Sequence, residues 1–186
     1  MKLMRLNWAN IRGSRASSGA IAAIFLISYV ALQALAIAAH GSAVERWIIE
    51  QANVRTSVAL IDWLTPRIGA TAQETRIVAP GATLNIRTGC EGTEILIPLF
   101  AALLAFPLSV STRLFGLLAG TAWVFVLNQA RILGLFYAFR ADPVLFGQLH
   151  GFIAPLLLIL GVLVFFFGVL QWERYRPVSA SSGCVS

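Results

Sequence analysis

Four apolar stretches constrain the fold of this chain more than any other feature of its sequence. They cover residues 19–39, about 95–110, about 114–139 and 152–170. A helix of about 20 apolar residues is long enough to cross the hydrocarbon core of a bilayer. Of the 186 residues, 58% are hydrophobic and 12% are charged, whereas a soluble domain carries about 25% charged residues. The pattern therefore predicts an all-α integral membrane protein with about four transmembrane helices.

Basic residues flank these stretches unevenly, and their distribution predicts the orientation of the chain. They precede the first stretch, separate the second from the third and follow the fourth: Lys2, Arg5, Arg12, Arg15, Arg113, Arg174 and Arg176. Because basic residues favour the cytoplasmic side, both termini are expected inside the cell. The predicted location is the inner cell membrane, with residues 40–93 and the loop 140–151 on the outside. The first stretch is longer than the apolar core of a signal peptide, which has about 7–15 residues, so we expect an uncleaved span.

Charge and hydropathy together divide the chain into five parts. These are a cytoplasmic N-terminus (1–18), a first transmembrane helix (19–39), an outer segment (40–93), a core of three transmembrane helices (94–172) and a disordered cytoplasmic tail (173–186). The second apolar stretch is short and contains Pro98 and Pro107. Its helix is expected to tilt or to thin the bilayer locally. The lipid bilayer is the first partner that the sequence predicts.

The outer segment is predicted to hold an amphipathic helix and a short β-hairpin. Apolar residues recur with helical spacing and fall on one face of the helix: Val44, Trp47, Ile48, Val54, Val58 and Ile61. Glu45, Glu50 and Asn53 lie elsewhere on it. This helix is expected on the outer leaflet or over the mouth of the bundle. Two strands, 75–78 and 83–87, flank Pro80-Gly81, which suits a type II turn. The second strand is predicted to run directly into Cys90.

Cys90 is the candidate nucleophile. It lies just before the second apolar stretch, where the N-terminal end of a helix dipole favours a thiolate. Gly89 and Gly92 on either side permit a close backbone approach, and free backbone N–H groups there are suited to holding an oxyanion. The alternative is that Cys90 is a small apolar residue that packs and does not react.

Arg131 and His150 are expected near the same membrane face as Cys90. At 1.5 Å per residue, Arg131 lies roughly 25 Å along the third span, near its outer end. An arginine there is costly unless it snorkels or finds a partner; the candidate carboxylates are Glu91, Glu94 and Asp142. Asn128, one turn earlier, is expected to orient the guanidinium, to bond a backbone group or to make an interhelical contact. His150 is suited to proton transfer, or else is an interfacial histidine.

The sequence contains no pattern for a metal, a cofactor or nucleic acid. Cys90 and Cys184 form no CxxC pair, and the histidines are limited to His40 and His150. The cysteines are expected on opposite faces of the bilayer, so we expect no disulfide between them. His40 has no evident partner and is interpreted as a boundary residue. The net charge of +6 is attributed to membrane topology rather than to nucleic-acid binding.

The chain resembles the exosortase/archaeosortase family in a set of short motifs within residues 85–170. They are Asn85-Ile86-Arg87-Thr88-Gly89-Cys90-Glu91-Gly92, Phe106-Pro107, Asn128-Gln129-Ala130-Arg131-Ile132 and Leu149-His150. Members of that family are multi-pass membrane cysteine enzymes that cleave C-terminal sorting signals and transfer the protein to an acceptor. The resemblance implies that Cys90 is the nucleophile and that Arg131 and His150 are its catalytic partners. Many members have more spans, so this chain resembles a compact member.

The implied partners are membrane-anchored protein substrates, each with a C-terminal sorting signal, and an acceptor molecule of unknown identity. A sorting signal of this kind comprises a short motif, a transmembrane helix and a basic tail. Three other functions are weighed against this one. In a non-enzymatic scaffold, Cys90 would only pack and Arg131 would pair with an acidic residue. An anion transporter that binds its substrate at Arg131 is less favoured, because the four predicted spans show no evident inverted repeat. A thiol–disulfide oxidoreductase normally needs a second cysteine on the outer side.

Overall fold

The computed structural model of the protein describes residues 17–86 and 89–175. Its α-helices are α1 (Ser18–Ala38), α2 (Ala43–Trp47), α3 (Thr56–Leu64), α4 (Thr93–Ala105), α5 (Val110–Ala141), α6 (Pro143–Gln148) and α7 (Ala154–Tyr175). The π-helical segment Ile48–Arg55 joins α2 to α3, and the π turn Leu149–Ile153 joins α6 to α7. The predictions for the first 16 residues, for Arg87 and for the tail after Tyr175, including Cys184, lie outside the described residues.

Within the described residues, three helices are long and apolar enough to cross a membrane. They are α1, α5 and the continuous run from Pro143 to Tyr175, which correspond to the first, third and fourth predicted spans. The second gives only the 13-residue α4, about 20 Å long at 1.5 Å per residue. It ends at Ala105 because Phe106, which precedes Pro107, has an extended backbone. A mostly helical protein with apolar helices of spanning length is confirmed, whereas the number of spans stays a prediction.

Polar side chains mark where α1, α2, α5 and α6 begin. Ser17, Ser42, Ser109 and Asp142 each accept a hydrogen bond from a first-turn backbone N–H, over 3.2, 3.2, 3.4 and 2.8 Å. After Asp142, Pro143 occupies the first turn of α6, a position where its missing N–H costs nothing. The prediction of a loop at residues 140–151 is therefore wrong, because the chain becomes helical again at Pro143.

The outer helix predicted before the hairpin is present, but a π segment interrupts it. In a π-helix each N–H bonds to the carbonyl five residues back, so the stripe of buried side chains shifts along the helix. Of the apolar residues on the predicted face, Val54 and Ile61 are buried, whereas Val44 and Trp47 are 65% and 62% exposed. Asn53, predicted on the polar side, is only 1% exposed. The placement of Asn53 away from the apolar face is therefore wrong, because the π segment changes the helical period on which that placement depends.

The predicted β-hairpin is confirmed, and a further strand extends it. The sheet has the order β1 (Thr71–Gln73), β2 (Arg76–Ala79) and β3 (Ala82–Asn85), with both pairs antiparallel. Gly81 has a φ of 78°, the sign that the third position of a type II turn requires after Pro80. The Arg140 guanidinium donates to the Pro80 carbonyl over 2.8 Å. This bond holds the tip of the hairpin at the C-terminal end of α5.

The described residues form two hydrophobic clusters, one at each end of α5. The first cluster packs the sheet and the helical run 43–64 on the C-terminal half of α5, through Ile49, Val54, Ile61, Ala70, Ile77, Ala79, Ala82, Ile86, Ile132 and Phe136. The second cluster packs α4 and α7 against the N-terminal half, through Leu99, Leu103, Leu108, Val124, Val162, Phe166 and Val169. No described residue of α1 is buried. The segment containing Cys90 lies where these two clusters meet.

Candidate functional site

Cys90, Arg131 and His150 line the same cavity, which has a volume of about 320 Å³. They come from three separate parts of the fold: the segment before α4, the C-terminal half of α5 and the π turn before α7. The remaining lining residues belong to β3 and its end and to the facing helices: Thr83, Leu84, Asn85, Ile86, Ile132, Leu135, Phe139 and Phe146. The fold therefore brings the three predicted site residues together around one space.

The backbone around Cys90 has a shape that only glycine adopts readily. Gly89 and Gly92 have φ values of 91° and 90°, in the region that L side chains rarely occupy. A Cβ atom on Gly92 would lie 3.4 Å from atoms of both Asn128 and Val124, so this backbone packs directly on α5. Cys90 itself is a partly buried free thiol that packs beside the cluster on the C-terminal half of α5. Its position three residues before Thr93, the first residue of α4, agrees with the sequence prediction.

A buried amide network holds the Cys90 segment on α5. The Asn128 side-chain N–H₂ group donates to the Cys90 carbonyl oxygen over 3.0 Å and to Asn53 Oδ1 over 3.0 Å. Asn53 Nδ2 in turn donates to the Ile48 carbonyl over 3.0 Å, within the π segment. Asn128 is fully buried. Of the roles expected for Asn128, two are therefore present: it bonds a backbone group, the Cys90 carbonyl, and it makes an interhelical contact with Asn53.

Gln129 extends this network to the start of α3. Its Nε2 donates to Asn53 Oδ1 over 3.2 Å and to the Ala52 carbonyl over 3.3 Å. Its Oε1 accepts from Ser57 Oγ over 2.7 Å. Buried polar side chains are stabilising only when their hydrogen bonds are made. The network therefore ties the π segment, α3, α5 and the Cys90 segment into one arrangement.

Asn53 is the main residue of the site that the sequence interpretation missed. The available signal was an asparagine among apolar residues of the outer helix, together with the pair Asn128-Gln129 in an apolar span. Amides inside a membrane bundle usually pair with one another. The α-helical period assigned Asn53 to the polar face, and the π segment brings it into the core instead.

Arg131 has no ion-pair partner among the described residues. The carboxylates proposed for it, Glu91, Glu94 and Asp142, form no salt bridge with its guanidinium. Its Nε is buried and has no hydrogen-bond partner within the described part of the chain. An unpaired buried donor costs about 1–3 kcal/mol. Arg131 therefore has binding capacity that the described residues leave unused.

His150 also lines the cavity and is exposed. Its ring stacks on Phe146 with centroids 5.5 Å apart and an angle of 5° between the planes. Phe146 in turn meets Phe139 edge to face, with centroids 5.2 Å apart. The stacking fixes the plane of the imidazole and leaves its nitrogen atoms available for proton transfer.

His40 is not part of this cavity, although the interpretation of it as a residue without a partner is wrong. Its Nδ1 lies 3.8 Å from Glu45 Oε1, because Glu45 is in the first turn of α2. Both line a second cavity of about 380 Å³ between α1, α2 and α4, together with Glu91 and Glu94. This larger cavity contains none of Cys90, Arg131 and His150, so the chemistry of a thiol, a cation and an imidazole belongs to the smaller one.

The residues around the smaller cavity can supply a nucleophile, an anion-binding donor and a proton carrier. Among the described residues, no group of three or more His, Cys, Asp and Glu side chains is arranged to hold a metal ion. Comparison of the chain with models of known families, with curated proteins and with solved structures finds no match.

Proposed function

We propose that this chain is a membrane cysteine peptidase and transpeptidase of the exosortase/archaeosortase type. The observation that supports it best is the single cavity lined by Cys90, Arg131 and His150. A nucleophile, a general acid–base group and an oxyanion donor around one space are what acyl transfer requires. The substrates are exported proteins with a C-terminal sorting signal, and the reaction takes place at the outer face of the inner membrane.

In the first step, the Cys90 thiolate attacks the carbonyl carbon of the scissile peptide bond. The carbonyl oxygen becomes an oxyanion, which the Arg131 guanidinium stabilises. The C–N bond then breaks, and the leaving amine takes a proton from the His150 imidazolium. The product is a thioester between Cys90 and the exported protein, and the departing fragment is the helix with its basic tail.

In the second step, an acceptor nucleophile attacks the thioester. His150 accepts the proton of this acceptor, which is an amine, a hydroxyl group or water. The C–S bond breaks and Cys90 leaves as the thiolate, so the enzyme returns to its starting state. Arg131 stabilises the second oxyanion as it did the first.

The apolar helices suit a substrate that is itself embedded in the membrane. The substrate helix approaches laterally, and its basic tail stays on the cytoplasmic side by the charge rule that also orients the enzyme. The scissile bond then lies at the outer end of the substrate helix, at the level where the enzyme is proposed to carry Cys90. The acceptor reaches the thioester from the outer aqueous side.

The test compares cells that express the wild-type chain with cells that express Cys90→Ala. Mass spectrometry of C-terminal peptides identifies exported membrane proteins that lose a C-terminal helix and basic tail. We expect such losses with the wild type and uncleaved proteins with Cys90→Ala. Hydroxylamine, which cleaves thioesters, is expected to release substrate from the wild-type enzyme only.

The matched control is Cys184→Ala, which removes the other cysteine of the chain. It is expected to process substrates at the wild-type rate. Identical C-terminal peptides with wild type and Cys90→Ala would contradict the enzymatic proposal and favour a scaffold in which Cys90 only packs.

A further inference from the structure

The strand before Cys90 has an edge whose hydrogen-bonding groups are not used by the sheet. In an antiparallel pair, hydrogen-bonded and non-hydrogen-bonded residue pairs alternate along the strands. Ala79 and Ala82 flank the two-residue turn and form the first hydrogen-bonded pair. The bond from the Ile86 N–H to the Thr75 carbonyl, 2.8 Å long, continues the same alternation. The N–H and C=O groups of Thr83 and Asn85 therefore point away from β2.

This free edge of β3 borders the cavity of Cys90. Thr83 and Asn85 both line the cavity, and both are exposed. Among the described residues, neither makes a backbone hydrogen bond outside the sheet. An edge of this kind is a template for another extended chain. The groups are thus positioned to pair with a backbone that enters the cavity.

β3 with its end and α5 supply most of the lining residues of the cavity, which is therefore a groove between them, and Cys90 lines it after the end of β3. The bonds from Arg140 to Pro80 and from Asn128 to Cys90 show that β3 runs in the direction opposite to α5. Arg131, Leu135 and Phe139 lie about one turn apart on α5 and form the helical wall beside the strand. From Arg131 to Phe139 the helix rises about 12 Å. An extended peptide covers that distance in about four residues.

We infer that an extended peptide adds to the outer edge of β3 and so reaches Cys90. The inference rests on the proposed function and assigns its substrate a conformation: an extended backbone paired with Thr83 and Asn85. In such β-strand addition, main-chain bonds supply affinity and pockets for alternate side chains supply specificity. Leu135, Phe139 and Phe146 make the wall of the groove apolar. One substrate side chain near the scissile bond is therefore apolar and faces this wall.

The first test removes a single backbone donor from the edge. Thr83→Pro deletes the N–H that points into the groove, whereas Thr83→Ala changes the side chain and keeps the N–H. Proline is tolerated on edge strands, where the N–H faces outwards. The probe is the protein whose C-terminal tail persists with Cys90→Ala. We expect Thr83→Pro to slow its cleavage about tenfold relative to Thr83→Ala.

The matched control is Ala72→Pro, on the opposite edge of the same sheet. Gln73 and Arg76 flank the two-residue turn between β1 and β2 and therefore form a hydrogen-bonded pair. Ala72 belongs to the next pair, which is not hydrogen-bonded, so its N–H points away from the sheet. It is expected to cleave the probe within twofold of the wild type. Abundance and thermal unfolding in detergent identify a variant that fails to fold, and Asn85→Pro then serves as the second edge variant. Cleavage by folded Thr83→Pro or Asn85→Pro at the rate of the alanine variant overturns the inference.

A second measurement does not depend on cleavage. A photoreactive benzoylphenylalanine replaces Thr83 in one chain and Ala72 in another, both carrying Cys90→Ala. Irradiation in cells is expected to link position 83, and not position 72, to an exported membrane protein beside its C-terminal helix. Equal or absent linkage at the two positions overturns the inference. Processing that is unaffected by Cys90→Ala contradicts the enzymatic proposal instead, and the linkage result still decides whether a peptide docks on β3.

Discussion

The side-chain amide of Asn128 donates a 3.0 Å hydrogen bond to the backbone carbonyl of Cys90. The residues come from different elements, α5 and the segment before α4. Asn128 lies about one turn before Arg131 on α5. The same helix therefore holds the candidate nucleophile, Cys90, through Asn128 and carries the candidate oxyanion donor, Arg131, about one turn later.

Asn128→Leu is expected to loosen the Cys90 segment. The substitution keeps a side chain of similar size but removes the donor to Cys90 and to Asn53. We expect a loss of about 1–3 kcal/mol in unfolding free energy, because buried acceptors lose their partner. Alkylation of Cys90 by a small maleimide should become faster and substrate cleavage slower. The control is Gln73→Leu on the exposed strand β1; equal alkylation rates in the two variants would contradict the expectation.

Asn53→Leu is expected to destabilise the protein by a similar amount. Its Oδ1 accepts hydrogen bonds from Asn128 and Gln129, so both buried amides would be left short of an acceptor. The cost is about 1–3 kcal/mol, measured by thermal or denaturant unfolding in detergent. Gln51→Leu lies in the same π segment and outside this network, and it should unfold like the wild type. Wild-type unfolding of Asn53→Leu would show that the network contributes nothing to stability.

Arg131→Ala is expected to lower substrate cleavage while leaving the fold intact. The guanidinium forms no ion pair with the described residues, so its removal breaks none of these contacts. Removal of one oxyanion donor typically costs about 10²–10³ in rate. The measurement is the rate of cleavage of the protein that accumulates with Cys90→Ala. Arg113→Ala, near the other end of α5, removes an arginine that bonds the Phe106 carbonyl and should cleave normally.

His150→Phe is expected to preserve the stack on Phe146 and to remove proton transfer. An aromatic ring in this position keeps the contact that now has centroids 5.5 Å apart. General acid–base groups contribute about 10²–10⁴ in rate, so cleavage should fall by that factor with unchanged thermal unfolding. His40→Phe changes the histidine beside Glu45 in the other cavity and should cleave at the wild-type rate. Comparable rates for the two variants would remove His150 from the mechanism.

Gly92→Ala is expected to be destabilising, whereas Gly134→Ala is not. Gly92 has a φ of 90°, and an added Cβ would lie 3.4 Å from Asn128 and Val124. Strain of this kind costs about 1–3 kcal/mol. Gly134 lies within α5, and an added Cβ there meets nothing within 4 Å. Alanine should therefore stabilise the helix at Gly134 by about 0.5–1 kcal/mol. In thermal unfolding, Gly92→Ala should have a midpoint temperature below that of the wild type and Gly134→Ala one above it.

The amino-acid sequence by itself determined the features that depend on neighbouring residues. Hydropathy located α1, α5 and the run that ends at Tyr175, because the length and composition of a helix of spanning size are local properties. Pro80-Gly81 located the hairpin, because a type II turn needs a positive φ at its third position. The choice of Cys90, Arg131 and His150 also came from the sequence, since residue chemistry and position in each span pointed to them.

Only the tertiary structure decided how these elements meet. Asn53 and Asn128 are 75 residues apart, and no local pattern joins two amides that distant. The π segment Ile48–Arg55 lies where a continuous α-helical face was expected. The π turn that carries His150 lies where a loop was expected. Both differ from the expectation because packing sets the helical register. The groove between β3 and α5 exists only when the sheet, α5 and the π turn pack together, since each supplies one wall.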